Sequence, residues 1–367
     1  MLKQRIKVFE DKRQNILEDK LNCIPIPFPA LSGYFPGFEK GKFVLITASP
    51  KAGKTKLTLF MTVLYPLWLA YKRKDFNLHI IYFSLELSES DLYDQMICWY
   101  LYIVSEGKIS VSTLQLNSID NNHLLGEEIL NILKGEEFTK FFDFIDEHLE
   151  INTNDTNPYG MYKYCVDYAN NNGRTVMRRS EKKTTDPDTG LETTNVDNIP
   201  DYYIPDTDEY RFVVWDHISL ISTEKGMDLR ASMKKMCSRD LLRLKNFYGF
   251  TVIPIQQQMN ASESLEHVKM NMLRPTAAGL ETYKDSAKDC DVMLGLFDPN
   301  RHGLQKYLNY NIKDFRDKIR FLEVVLNRNG GALGTSALLF NGATSHFREL
   351  PPPNDPRIAD ITRSLNR

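Results

Sequence analysis

The sequence predicts an α/β domain with a mostly parallel central sheet and a short helix ahead of it. Three observations carry this. Residues 43–46 are an apolar run that leads through a small-residue loop into Gly53-Lys54-Thr55 and an amphipathic stretch to about residue 71, which reads as strand, loop, helix. Further apolar runs at 79–84, 212–216, 251–255, 291–297 and 318–327 read as buried strands. Helical periodicity lies between several of them, at about 89–105 and 228–248. Strands alternating with helices in this way make crossover units and a parallel sheet.

The chain of 367 residues is long enough to bury a full core. Its net charge of −2 excludes any global argument for nucleic acid, so such a site must be a local basic surface. The five cysteines, Cys23, Cys98, Cys165, Cys237 and Cys290, are scattered without metal-ligand spacing, which suggests a reducing compartment and mostly buried thiols. The start has no apolar core of a signal peptide. The longest apolar run, 60–71, is too short to span a bilayer and contains Pro66. A soluble, cytoplasmic protein without a membrane partner is expected.

Residues 1–22 place Leu2, Ile6, Phe9, Ile16, Leu17 and Leu21 near helical spacing among charges. They predict an amphipathic linker helix, packed on its own domain or donated to a neighbouring subunit. Residues 23–41 are a Pro- and Gly-rich approach to the first strand. The loop that follows, Ala48-Ser49-Pro50-Lys51-Ala52-Gly53-Lys54-Thr55, fits G-x-x-x-x-G-K-[ST] except that Ala48 replaces the first glycine. In such loops backbone N–H groups wrap polyphosphate at a helix N-terminus. Gly53 permits close backbone approach, Lys54 reaches the β/γ-phosphates and the Thr55 hydroxyl binds Mg²⁺. The alternative is a chance glycine-containing turn. Pro66 predicts a kink or break in the helix after Thr55.

Later segments supply possible partners for this loop. Glu86 sits at the end of the 79–84 strand, where it can activate a water or simply cap the next helix. Residues 107–172 carry no chemical motif. Residues 174–209 read as an inserted exposed loop or hairpin, whose basic cluster Arg178, Arg179, Lys182 and Lys183 is either a nucleic-acid contact or a solvated face. The 212–216 strand ends in Asp216, a candidate Mg²⁺ ligand opposite Thr55. Residues 228–248 form a helix with a basic face, and the 251–255 strand ends in Gln256-Gln257-Gln258, amides able to sense a γ-phosphate. Residues 259–288 read as mostly mobile loop, and the 318–327 strand runs into Arg328-Asn329-Gly330-Gly331. A last extended stretch, 336–340, precedes a proline-containing tail from 351.

In this order the motifs resemble the ATPase domain of DnaB-type replicative helicases, a RecA-fold P-loop family. The loop at 48–55 resembles that family's phosphate loop, in which Ala first and Pro third are ordinary. Phe-Ser-Leu-Glu-Leu-Ser, 83–88, resembles its catalytic-glutamate segment and implies that Glu86 activates the water. Trp-Asp-His-Ile-Ser-Leu-Ile, 215–221, resembles its Mg²⁺-aspartate strand, at Asp216. Ile-Pro-Ile-Gln-Gln-Gln, 253–258, resembles its sensor strand and favours Gln257. Residues 284–292 resemble the segment after its second DNA-facing loop, and Asn-Arg-Asn-Gly, 327–330, its arginine-finger strand, at Arg328.

The resemblance spans roughly 23–345, so the implied organisation is a linker helix at 1–22, a RecA-like ATPase/helicase domain at 23–350 and a tail at 351–367. It lacks three things the family has or often has: an N-terminal primase-binding domain, a basic residue two before the finger (Leu326 stands there), and a counterpart of 174–209. It implies an enzyme that uses ATP and Mg²⁺ and translocates on single-stranded DNA as a homo-oligomeric, hexameric ring, unwinding duplex in DNA replication. A host-cytoplasmic location follows if the genome is viral. Primase or other replisome proteins are further partners the resemblance admits. The family's two pore loops fall at about 222–232 and 259–285, which makes Arg230, Lys269 and Arg274 the candidate DNA contacts. Two rivals remain: a RecA-like strand-exchange recombinase, and an ATP-gated loader or adaptor that does not unwind.

Overall fold

The computed structural model describes residues 2–185, 192–259 and 273–365. Chain order gives α1 (Leu2–Leu17), β1 (Val44–Ala48), α2 (Lys54–Leu59, continued through the π turn Phe60–Leu64 into Tyr65–Arg73), β2 (Asn77–Ser84) and α3 (Glu89–Val104). Then come α4 (Glu136–His148), β3 (Leu149–Asn152), α5 (Pro158–Asn171), β4 (Gly173–Thr185), β5 (Glu192–Pro205) and β6 (Glu209–Asp216). The remainder is α6 (Leu229–Lys235, the π turn Met236–Leu241 and Leu242–Asn246), β7 (Thr251–Gln257), β8 (Val292–Phe297), β9 (Ile319–Asn327), β10 (Thr335–Asn341), β11 (His346–Glu349) and α7 (Arg357–Leu365).

Nine strands form one sheet in the order β11-β10-β9-β8-β1-β7-β6-β2-β3. From β8 to β3 all pairings are parallel, and β9, β10 and β11 extend the sheet antiparallel. The predicted mostly parallel α/β architecture is thus observed. Alternate residues of each central strand serve opposite faces. Val44, Ile46, Ile80, Tyr82, Phe212, Val214, Ile253 and Ile255 pack under α2, α3 and α4. Leu45, Ile81, Phe83, Val213, Trp215 and Val252 pack under α5 and α6. A third cluster, including Phe297, Phe315 and Phe321, lies beneath the antiparallel end.

Three details differ from the sequence reading. Pro66 neither kinks nor breaks α2, because it falls in the first turn after the π segment, where its missing N–H costs least. The tail is more than proline-rich coil: α7 turns Ile358, Ile361 and Leu365 onto the third cluster. The N-terminal helix stops at Leu17, and the chain reaches β1 through two short bridged strands, Ile24–Pro25 and Gly37–Phe38. Residues 173–205 form a two-stranded antiparallel ribbon, β4 with β5, outside the main sheet.

Candidate nucleotide site

The site lies at the C-terminal edge of the parallel strands, where strand ends and helix starts converge. β1 is fully buried and delivers the chain into the loop 49–53, which turns with Lys51 at φ 62° and Gly53 at φ 98°. Gly53 is needed for two reasons. Its φ lies in the left-handed region, and a Cβ there would sit 3.3 Å from the Phe340 ring. α2 begins at once, with Lys54 and Thr55 in its first turn and its first N–H groups facing the loop. Arg320, buried in β9, fixes the loop from below: its Nε donates to the Ala52 carbonyl at 2.9 Å, and its guanidinium pairs with Asp298 at 3.0 Å.

A cleft of about 580 Å³ opens above the loop, lined by Ser49, Lys54, Thr55, Glu86, Gln257 and Phe340 among others. Lys54 is buried, and burial lowers its pKa, opposed by the charges of Asp216, Glu86 and Glu281. Asp216 ends β6 beside it, and burial raises its carboxyl pKa against the pull of Lys54, the Tyr82 hydroxyl and the Thr55 hydroxyl. Tyr82 donates to Asp216 Oδ2 at 2.7 Å. Oδ1 is buried with no well-aligned donor, although Thr55 is near enough to act on the carboxyl. A buried, under-partnered carboxylate oxygen beside a hydroxyl fits a hard cation bound partly through phosphate oxygens. Among the described residues no group of three or more His, Cys, Asp or Glu could hold a metal alone, so the phosphates would have to complete the shell.

Glu86 lies just beyond β2. The capping role open to it belongs to Ser88, whose hydroxyl accepts from Asp91 N–H in a reciprocal capping box. Glu86 instead lines the cleft, half exposed, with its Oε2 3.9 Å from His217 Nε2. Burial and the Lys54 charge push His217 down to about 4, so the ring is neutral near pH 7. The backbone holds the two strand ends in register, since Leu85 N–H donates to the Asp216 carbonyl at 2.7 Å.

The three glutamines separate cleanly. Gln256 is buried, with its amide on the Glu281 and Tyr283 carbonyls and on Ser286. Gln258 holds Thr47 and Thr276. Gln257 alone of the three lines the cleft. The sequence could not rank them by burial, and it missed Tyr82, His217, Arg320 and Phe340 altogether. Only the strand alternation of 79–84 carried a signal for Tyr82, an aromatic hydroxyl on a buried face.

Arg328 is not at this cleft. β9 runs antiparallel to β8, so Asn327 pairs with Val292, which in turn pairs with Val44 at the start of β1. Arg328 is exposed at the opposite sheet edge, roughly 15 Å or more away along β1. Arg230 is exposed on the first turn of α6, near enough to Asp285 to lower its carboxyl pKa. Arg274 lies 3.9 Å from Glu323 of β9. Their neighbours differ, and the structure does not join them into one patch. Lys269 lies outside the described residues.

Residues 23–155 match the family of the DnaB-like helicase C terminal domain. The resemblance to the DnaB-type ATPase domain is thereby borne out over the stretch that carries the phosphate loop and Glu86. Asp216, Gln257 and Arg328 lie beyond the matched residues. Two solved structures share the fold. One is a DnaB-like replicative helicase described with its interactions with primase, at 15% identity, covering 96% of this chain and 67% of that one with a TM-score of 0.62. The other is an ATPase domain solved by itself, at 15% identity, covering 95% of this chain and 98% of that one with a TM-score of 0.61. At that identity the likeness shows the RecA-type fold alone. No curated protein matches the sequence.

Proposed function

We propose that this chain is a subunit of an ATP-dependent DNA helicase that translocates on single-stranded DNA as a homo-oligomeric ring. The observation that carries the reading is the convergence of Lys54, Thr55, Glu86, Asp216 and Gln257, from four strand ends, at one cleft. Such a set has the parts that phosphoryl transfer to water requires. The loop N–H groups and Lys54 bind the phosphates. Thr55 and Asp216 hold Mg²⁺, which when bound offsets phosphate charge. Glu86 takes the proton of the attacking water, with neutral His217 beside it, and Gln257 senses the γ-phosphate. Arg328, too far to serve its own cleft, stabilises a neighbour's phosphates in trans. Arg230, Lys269 and Arg274 contact the DNA backbone.

Under this reading the partners are single-stranded DNA and other copies, six in a ring, with primase or replisome proteins beyond them. Cys98, Cys165, Cys237 and Cys290 are buried and unbridged, and Cys23 is also unbridged, which suits a reducing cytoplasm. No described helix is long and apolar enough to cross a membrane. The test is ATP turnover with and without single-stranded DNA, run beside unwinding of a forked duplex. DNA-stimulated turnover with strand separation supports the reading. Nucleotide binding without DNA-stimulated turnover would replace it with an adaptor.

A further inference from the structure

The ribbon β4–β5 has a charge pattern that the nucleotide site does not use. β4 carries five basic residues and one acid, Glu181. β5 carries three acids, Glu192, Asp197 and Asp201, and no base. Within the ladder each charged residue stands opposite an uncharged one: Arg178 faces Ile199, Arg179 faces Asn198 and Asp197 faces Ser180. The charges are therefore not cancelled by direct cross-strand pairs. One diagonal contact does occur, Arg178 Nε to Asp201 Oδ1 at 3.2 Å, where Asp201 is left out of the ladder at the bulge between Val176 and Met177.

The base of the ribbon is held firmly. Arg211, buried at the start of β6, donates to the Tyr203 hydroxyl at 2.7 Å and to the Asn172 carbonyl at 2.9 Å, while pairing with Glu209 at 2.6 Å. Tyr203 in turn donates to the Ala169 carbonyl at 2.7 Å. Beyond the bulge, the nine ladder pairs from Met177–Pro200 to Thr185–Glu192 extend about 30 Å. Met177 and Val196 lie on one face of that outer part and are half exposed. An isolated two-stranded ribbon is marginal in water and gains from a surface to lie against. The ribbon leaves the domain at the start of β6, which is level with the starts of β1 and β8 and so with Arg328.

We propose that this ribbon is a contact between copies of the chain, in which the basic β4 of one copy lies against the acidic β5 of the next. Charge complementarity selects a second copy over nucleic acid. Neighbouring strands are about 4.8 Å apart, well inside the screening length of about 8–10 Å. A phosphate backbone laid along β4 would therefore feel the carboxylates of β5 as strongly as the cations. A copy of the same ribbon presents the opposite sign to each strand. A basic-to-acidic contact is head-to-tail, and such contacts build rings when the rotation closes. The location rests on the proposed ring only in that Arg328 and the ribbon then face neighbours from the same sheet edge.

Two variants of the full chain test it. One, Arg178→Glu with Arg179→Glu, makes both strands acidic. The other, Asp197→Lys with Asp201→Lys, makes both basic. Thermal melting controls for folding, because the Arg211–Tyr203 node is untouched. Sedimentation velocity at low and high salt should show each variant associating at least tenfold more weakly than the parent, with the parent losing its advantage in high salt. Mixing the two variants should restore association. Neither variant keeps its own Arg178–Asp201 pair, so recovery can come only from contacts between chains. Unchanged assembly in both variants overturns the proposal. So does reduced single-strand binding by the acidic variant with increased binding by the basic one and no recovery on mixing, which is the nucleic-acid outcome. A chain whose association follows the charges but which hydrolyses no ATP keeps the ribbon and sinks the helicase reading. ATP turnover and unwinding with assembly indifferent to the charges does the reverse.

Discussion

Lys54 and Asp216 are buried side by side at the head of α2, and each has its pKa pushed toward neutrality by burial and back by the other. A buried pair of this kind is costly unless further groups share the charge, which is the electrostatic argument for a polyphosphate–cation ligand. Lys54→Ala should abolish nucleotide binding, read by equilibrium titration with a fluorescent ATP analogue. Glu86→Gln should bind that analogue normally yet lose turnover by at least a hundredfold, since a removed base acts on hydrolysis more than on binding. Normal turnover by Glu86→Gln would reduce the residue to a cleft-lining carboxylate. Tyr82 makes a finer case. Its hydroxyl fixes one oxygen of Asp216 and leaves the other toward Thr55. Tyr82→Phe keeps the ring but removes the donor, so a buried carboxylate oxygen loses its partner at about 1–3 kcal/mol. The Mg²⁺ concentration needed for half-maximal analogue binding should rise roughly tenfold, with a lower melting temperature. An unchanged Mg²⁺ requirement would make the hydroxyl a purely structural group.

At the scale of elements, periodicity was enough to place the strands that meet the site, because each is an apolar run buried on both faces. The ends of those strands were legible too: Glu86, Asp216 and the glutamines are polar breaks in apolar runs. Long-range register was not legible. Nothing in 318–327 alone shows that β9 runs against β8, yet that reversal takes Arg328 away from its own cleft and puts Arg320 under Ala52. Local strings also hide π turns, which let α2 keep going past Pro66. The two loops read as DNA-facing leave β6 and β7 at the edge that holds the cleft, so nucleotide state and DNA contact would be neighbours there. Neutralising Arg230, Lys269 and Arg274 together should weaken single-strand binding at low salt. The logarithmic salt slope should fall by about 0.7 for each phosphate no longer neutralised, hence by about 2 for all three. Fluorescence anisotropy over a salt series measures it. The Arg274–Glu323 proximity predicts that Arg274 contributes least, because its charge is already partly answered. A slope that does not change would move the DNA site away from these loops.

At the scale of the whole molecule, the chain has two features that its own surface does not satisfy. Arg328 stands exposed at the far sheet edge. α1 turns an apolar stripe outward, with Leu2, Phe9 and Ile16 exposed by 75%, 59% and 64%. The helix is tied to the domain mainly through polar contacts, such as Lys12 to Glu39 at 3.0 Å and Asn22 to the Lys12 carbonyl at 2.7 Å. A stripe of that size is expected to bury itself on another surface. A cleft of about 660 Å³ lined by Trp68, Tyr100 and Phe138 and flanked by Glu106, Glu136 and Glu137 has the matching character on a neighbouring copy, since α1 carries Lys3, Arg5, Lys7, Lys12 and Arg13. Gripping and catalysis should then come apart by mutation. Deleting residues 1–22 should dissociate the assembly and abolish turnover, although every residue of the cleft remains. Arg328→Ala should leave assembly and nucleotide binding intact and stop hydrolysis. Mixing Arg328→Ala subunits with Glu86→Gln subunits should restore part of the activity, because some interfaces then join an intact cleft to an intact arginine. Native mass spectrometry would confirm that mixed assemblies form. If they form and no activity returns, Arg328 does not act in trans, and its place at the far edge is that of a surface residue ending a strand.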